Sequence, residues 1–475
     1  ELGAVFDEVA DAYLRERRGD LADLVGRLRM NLRKDVTSTR ELLQAIEDAS
    51  VLVADELTPS LAAQVDWTRV LGFATDAGSR TYHTAILARS LEVPAVVGLH
   101  DAIDLIRPGQ VVVIDGDRNE IVIDPDEEEL SRVARCGREH PASAAAGDRR
   151  GPASTADGVR IRLEANIEFA DDLAAARFAG AEGIGLYRSE FLLADTGRLP
   201  SEDEQFDVYL GMIEGMAPGP VTVRTFDFDQ DQLELRTTDP TLRGSWDGDA
   251  ERGSRQGLRG LRLSLTMHEL FRTQLRALLR AAAHGPLRIM FPFVSSVEQL
   301  RDARRMVNDL SAALRRSGHD VPDVPIGVMI EIPAAAYTAD LLAKEVDFFT
   351  IGTNDLIQYC LAVDRADERV SRLYEPLHPA ILRVIAMVRR AAGRAGVPVS
   401  LCGEMASDPA LLPLLVGLGL TEFSMTPGAI GVAKQVLSEV RSDELRALAR
   451  RVLRLPTVDE IEHELLAALG RCSIS

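Results

Sequence analysis

The chain has 475 residues, enough for two or three domains with separate cores, and its 46% hydrophobic and 27% charged composition is that of an ordinary globular protein. Its 54 Lys and Arg against 74 Asp and Glu leave a net charge of −20, which weighs against a nucleic-acid or anionic-membrane partner and favours a basic protein partner, with solubility as the plainer account. No apolar run approaches the ~20 residues that span a bilayer, and the start is not a signal sequence.

Residues 1–35 read as a charged helical segment with an apolar stripe through Phe6, Val9, Tyr13, Leu21, Leu24, Val25, Leu28 and Leu32. The chain begins at Glu1 without an initiator Met, already inside this pattern, and an upstream part is expected to be missing. Short strands follow, Val51–Ala54 and Val70–Phe73 being the clearest. A helix from about Thr84 to Ser90 and strands at Val96–Val97, Val111–Ile114 and Ile121–Ile123 complete a small mixed α/β domain closing near Pro125. Within it, DAGSRTYHTAILARSLEVPAVVG (76–98) sets Arg80, Thr81 and His83 at a helix start, where backbone N–H groups and the helix dipole favour an anion. A phosphate on the imidazole of His83 would be stabilised there, although a lone histidine at a helix start is usually a cap or a surface residue.

A linker is expected over 126–158, its 137–158 stretch being rich in Gly, Ala, Ser and Pro without apolar periodicity. From Val159 onward strands alternate with helices: Ile161–Ala165, Ile184–Tyr187, Val221–Thr225, a weak one near Leu258, Arg288–Phe291, Ile326–Ile330, Phe348–Ile351 and Val399–Cys402. Some eight such units in about three hundred residues predict a (β/α)₈ barrel over 159–475 rather than an open sheet. The stretch 324–357 is the most informative. Two apolar runs, Ile326–Ile330 and Phe348–Ile351, flank a helical segment as in a βαβ unit, and each ends in polar groups: Glu331 after the first, Asn354 and Asp355 after the second. Carboxylates at the C-terminal ends of parallel strands suit a metal and its substrate better than they suit ordinary loops, and Arg365 follows them. The four cysteines, Cys136, Cys360, Cys402 and Cys472, show no metal-ligand spacing, and their sparsity indicates a reducing cytoplasm.

The loop around His83 and, in order, GIGLYRSEFLL, GLRGLR, LRIMFPF, VMIEIP, TIGTNDLIQY, AVDRADERVSRLYEP and LCGEMASDP closely resemble enzyme I of the phosphoenolpyruvate-dependent sugar phosphotransferase system, from about Val51 to the C-terminus. The resemblance implies a swivelling phosphohistidine domain (36–125) joined to a phosphoenolpyruvate-binding, dimerising barrel. His83 would take the phosphoryl group and pass it to the small carrier HPr, while residues 1–35 would be the remnant of the HPr-docking helical domain. The substrate-binding residues would be Arg188, Arg224, Arg259, Asn354 and Arg365. Glu331 and Asp355 would hold Mg²⁺, or Mn²⁺ in its place, and Cys402, at the end of the last strand, would protonate the enolate carbon to give pyruvate. Phosphoryl transfer asks for in-line positioning and charge neutralisation, which arginines and a hard cation supply, and a thiol can hold a proton for carbon at neutral pH.

The pattern is not complete. After Arg224 the family usually reads L-D-I-G-G-D-K, whereas here Asp229 and Gln230 replace glycines and Gln232 replaces a lysine, and Tyr82 stands where the family has a small serine. Retained activity is expected, with weaker substrate affinity or altered carrier choice. Two alternatives compete: a dikinase or synthase sharing these domains, which would need a nucleotide loop that the chain does not display, and a regulatory paralogue that binds phosphoenolpyruvate with little turnover.

Overall fold

The structure, a computed structural model, describes residues 50–54, 65, 69–76, 93–99, 101–116, 120–126, 129–130, 151–169, 172–192, 199–228, 257–364 and 369–469. The stripe over 1–35, the helix expected from Thr84, His83, Arg365 and the altered segment from Asp229 to Gln232 lie outside the described residues. The chain divides into two compact units, Glu1–Ser131 and Arg132–Ser475.

In the first unit β1 (Ser50–Ala54), β2 (Val70–Thr75) and β3 (Ala95–Val97) form a parallel sheet in that order, while β4 (Val112–Asp115) and β5 (Glu120–Ile123) pair as an antiparallel ribbon. These are the β-branched runs read from the sequence, with Phe73, Ala74 and Val96 fully buried. Asp76, which opens the histidine-bearing stretch, caps the short helix Ala102–Leu105: its carboxylate accepts from the N–H groups of Ala102 (2.5 Å) and Ile103 (3.0 Å).

The second unit begins with β6 (Ala153–Ser154), paired antiparallel with β7 (Arg160–Ile167), so the last residues of the expected linker pack with the barrel. Strands β7, β8 (Ile184–Arg188), β9 (Val221–Arg224), β10 (Leu287–Phe291), β11 (Ile326–Ile330), β12 (Phe348–Ile351), β13 (Val399–Leu401) and β14 (Glu422–Met425) run parallel in sequence order. Pairing of β14 with β7, Glu422 opposite Arg162 through Met425 opposite Ala165, closes the sheet into an eight-stranded barrel ringed by helices. Apolar side chains on the outer strand faces meet the helices in one continuous core; Ile161, Leu163, Val223, Ile289, Phe349 and Phe423 belong to it. Leu186, Met290, Met329, Phe348 and Cys402 form a smaller cluster. Gly327 is required at its position, because a Cβ there would stand 2.3 Å from the Phe348 ring. Among the described residues no helix is long and apolar enough to cross a membrane.

The count of eight holds, but the strand assignment needs two corrections. The segment at Leu258 is not a strand; Leu258 packs instead against a satellite cluster of Phe226, Phe228, Leu263 and Leu270, in the connection between β9 and β10. The eighth strand is β14, whose EFSM sequence alternates polar and apolar side chains. Ser424 donates to Asn166 Oδ1 at 2.7 Å, whereas Phe423 and Met425 join the outer core. Such a short half-polar run lacks the continuous apolar signal of its neighbours. Cys402 therefore follows the seventh strand, not the last, and Arg259 stands in a strand-end connection rather than on a strand.

Candidate active site

The C-terminal rim of the barrel carries the chemistry. Arg188 closes β8, Arg224 closes β9, Glu331 directly follows β11, Cys402 directly follows β13, and Asn354 and Asp355 occupy the first turn of the helix Thr353–Leu361 after β12. Alternation along each strand sends only every second side chain inward, and barrel closure makes the last inward position of each strand a neighbour of the others.

Asp227, Glu331 and Asp355 each bring a carboxylate oxygen within 4.8 Å of the other two. Arg259 bridges two of them. Its Nε and Nη2 donate to the two oxygens of Asp227 at 2.9 Å each, and Nη2 also donates to Asp355 Oδ2 at 2.7 Å. Such bidentate pairing fixes a guanidinium in plane and position. Arg224 donates to Glu190 Oε1 and lies 2.9 Å from Asp227 Oδ2, with its Nη1 3.8 Å from Met329 Sδ. Glu331 accepts from the backbone N–H of Phe293 at 2.6 Å.

Burial dominates the electrostatics. The carboxyl of Glu331 is pushed up to about 8 by burial first and then by the charges of Asp227 and Asp355, with Arg224 and Arg259 opposing. Glu190 is also raised, by burial more than its arginine partner lowers it. Asp227 moves the other way: burial would raise it, but Arg259 and Arg224 together hold it below the usual carboxylate range. Burial likewise disfavours the charge on Arg224 and Arg259, and their acidic partners more than offset this, so both stay cationic. Burial, reinforced by the nearby carboxylates of Glu331 and Asp355, outweighs Arg224 and Arg188 and pushes the Cys402 thiol up to about 12. Its Sγ sits 3.7 Å from the Ile351 carbonyl, a weak donor contact that keeps the proton on sulfur.

At the edge of this group Arg188 pairs with Glu168 at 2.5 Å. Asn354 exchanges hydrogen bonds with Glu404: its Oδ1 accepts from the Glu404 N–H at 2.9 Å, and its Nδ2 donates to the carboxylate at 3.3 Å. The Tyr374 hydroxyl donates to the Asn354 carbonyl at 3.3 Å. Several buried polar atoms among the described residues have no hydrogen-bond partner, and four belong to this rim: Nε of Arg188, Nε of Arg224, Oε2 of Glu190 and Oγ1 of Thr353. The two guanidinium N–H groups and the hydroxyl are buried donors without acceptors, costly in a finished core and expected where an anionic ligand completes the set.

The donor set fits a hard divalent cation. Three carboxylates converge, burial and the two neighbouring acids keep one of them protonated at neutral pH, and Arg259 already offers a positive group to two of the same residues. Of the residues expected from the sequence, Arg188, Arg224, Arg259, Glu331, Asn354, Asp355 and Cys402 all lie on this rim, while His83 and Arg365 fall outside the described residues. Asp227, Glu190 and Glu168 were not anticipated. Asp227 carries the signal that singled out Glu331, a carboxylate just past a barrel strand, and could have been found by the same reasoning. Glu168 and Glu190 show themselves only through their guanidinium partners.

Comparison with known proteins supports one setting for this rim. Residues 143–442 match the family described as "PEP-utilising enzyme, PEP-binding domain", and residues 46–119 match "PEP-utilising enzyme, mobile domain". Curated relatives include proteins named phosphoenolpyruvate-protein phosphotransferase from Bacillus sp. (strain S) and from Geobacillus stearothermophilus, each 43% identical over 466 residues, which cover 96% of this chain and 78% of the relative. A protein of the same name from Listeria monocytogenes is 42% identical over 465 residues, with the same coverage.

Proposed function

We infer the chemistry from one premise: this chain belongs to the PEP-utilising enzymes, among the phosphoenolpyruvate-protein phosphotransferases. It is a phosphotransferase, and its reaction is the first step of the sugar phosphotransferase system. The relatives' shared name over 96% of the chain does not favour the reading as a regulatory paralogue.

We propose that phosphoenolpyruvate binds on the barrel rim with its phosphate and carboxylate facing Arg188, Arg224, Arg259 and Arg365 and the side chain of Asn354. The buried, unpartnered Nε atoms of Arg188 and Arg224 support this, since an anionic oxygen supplies what they lack. Glu331 and Asp355, with Asp227 beside them, would hold Mg²⁺ or Mn²⁺, which when bound supplies Lewis-acid polarisation and neutralises charge on the substrate. Releasing Asp355 from Arg259 frees a guanidinium N–H for the substrate. His83 receives the phosphoryl group on its imidazole, with Arg80 and the helix start expected from the sequence stabilising the product. Cys402 keeps its proton at neutral pH because its thiol is buried, and delivers it to the enolate carbon to release pyruvate.

The phosphoryl group then passes from His83 to a histidine of an HPr-type carrier. In this reading 36–125 is the travelling domain, the hinge lies in 126–158 ahead of the strand Ala153–Ser154, and 159–475 is the substrate barrel and homodimer contact. A net charge of −20 suits a basic carrier and not nucleic acid or an anionic membrane, and sparse cysteines suit a cytoplasmic protein. The convergence of Arg224, Arg259, three carboxylates and a protonated thiol on one barrel rim carries the proposal. Incubation with phosphoenolpyruvate and Mg²⁺ followed by phosphopeptide mapping tests it. Acid-labile phosphate is expected on His83, with stoichiometric pyruvate, and neither in His83→Ala. Phosphate on another residue, or none, overturns the assignment.

A further inference from the structure

The rim holds one buried residue that contacts both halves of the site, one through its main chain and one through its ring, and whose side chain has no part in the chemistry above. Phe293 follows β10 in the LRIMFPF stretch and is 2% exposed. Its backbone sits at φ +57, the left-handed region, where a bulky side chain is seldom found unless its surroundings impose it. In that conformation its N–H points at Glu331 Oε1, 2.6 Å away. The preceding Pro292 carbonyl accepts from Leu261 at 3.3 Å, tying the same turn to the segment after Arg259.

The ring faces the other half. The guanidinium carbons of Arg259 and Arg262 lie over it, 5.2 and 5.1 Å from its centroid, within cation–π range. The Tyr359 ring meets it edge to face at 5.8 Å, and the Tyr359 hydroxyl stands 3.5 Å from Arg259 Nη1. Space is tight: Gly260 has φ +56, and a Cβ there would come within 2.6 Å of Phe293 Cβ and 3.2 Å of Asp227 Oδ1. Arg259 is thus fixed by Asp227 and Asp355 at its fork and by an aromatic face along its flank.

We propose that Phe293 is a positioning residue for phosphoenolpyruvate binding, its ring setting the guanidinium plane of Arg259 while its main chain independently orients Glu331. The proposal rests on the reading of Arg259 as a substrate residue and Glu331 as a metal residue. Substituting the side chain therefore disturbs the substrate and spares the metal, because the N–H stays.

The test uses the full chain carrying His83→Ala, so that phosphoenolpyruvate is bound and not consumed. Mn²⁺ affinity is read by electron paramagnetic resonance, and phosphoenolpyruvate affinity by calorimetry with Mg²⁺ present. Phe293→Leu is expected to weaken phosphoenolpyruvate binding about 3- to 30-fold, the range cation–π contacts span from exposed to desolvated sites, and to leave Mn²⁺ affinity within about twofold. Phe293→Tyr is expected to restore substrate affinity to within about twofold. Phe293→Met fills the same space without a ring and should behave as Phe293→Leu, which keeps the test open should the leucine variant fold poorly. In an Arg259→Gln background the effect of Phe293→Leu should vanish, since it acts through Arg259. An undiminished effect in that background, an equal loss of Mn²⁺ affinity, or unchanged substrate affinity in both Phe293→Leu and Phe293→Met overturns the proposal. If Arg259→Gln alone leaves phosphoenolpyruvate binding unchanged, the substrate role of Arg259 is what has failed, and the positioning role falls with it.

Discussion

Glu331→Gln should make the metal-free protein more stable while destroying its affinity for divalent cations. The Glu331 carboxyl is pushed up from 4.5 to about 8, so at pH 7 the folded chain carries a proton there that the unfolded chain lacks. A raised folded value contributes stability that is fully present below about pH 4.5 and is lost as pH climbs through 8. By pH 7 the loss is about 3 kcal/mol, and above pH 8 it reaches about 5 kcal/mol. Glutamine removes the titration yet keeps an oxygen for the Phe293 N–H and adds N–H groups beside Asp227 and Asp355. For a unit of 344 residues, 132–475, an unfolding entropy of ~2.1 cal/mol/K per residue turns 3 kcal/mol into a rise of about 4 °C in Tm. Scanning calorimetry in chelator should show that gain at pH 7, a gain of only about 1 kcal/mol at pH 5.5, and a larger one at pH 8. Saturating Mg²⁺ should reverse the order, since the cation stabilises only the protein that binds it. A pH-independent difference, or a variant less stable than wild type in chelator at pH 7, would refute the reasoning.

Mn²⁺ affinity, followed by electron paramagnetic resonance, should tighten roughly tenfold per pH unit up to about pH 8 and level off above, because the cation displaces the Glu331 proton. The buried Cys402 thiol, held near 12, should resist iodoacetamide in the native protein at pH 8 and react only on unfolding; prompt labelling detected by mass spectrometry would contradict it. Cys402→Ala should slow pyruvate release by about 10²-fold or more while leaving phosphoenolpyruvate binding within a few-fold, as calorimetry can check. Gly260→Ala should cost about 2 kcal/mol or more in denaturant unfolding, combining a left-handed backbone with a Cβ 2.6 Å from Phe293.

Much of the site is legible in the residues themselves. The acids after Ile326–Ile330 and Phe348–Ile351 stand out because strand period and strand end are local properties, and the same local logic supports Arg188 and Arg224, whereas Cys402 is singled out only by its motif in the family resemblance. Strand β14 escapes because its inward face is polar, so its half of the hydrophobic signal is absent, and the leucine at 258 invites a strand where it only fills a satellite cluster.

What the order of residues determined by itself was periodicity: which runs become strands, where each stops, and which polar group stands at the stop. Which of those groups meet was decided by closure of the barrel, which brings Arg259 to Asp355 across 96 residues and Arg224 to Glu190 across 34. The protonation of Glu331 and the cationic state of the buried arginines follow from that meeting, because burial and neighbouring charge exist only once distant segments share one low-dielectric space.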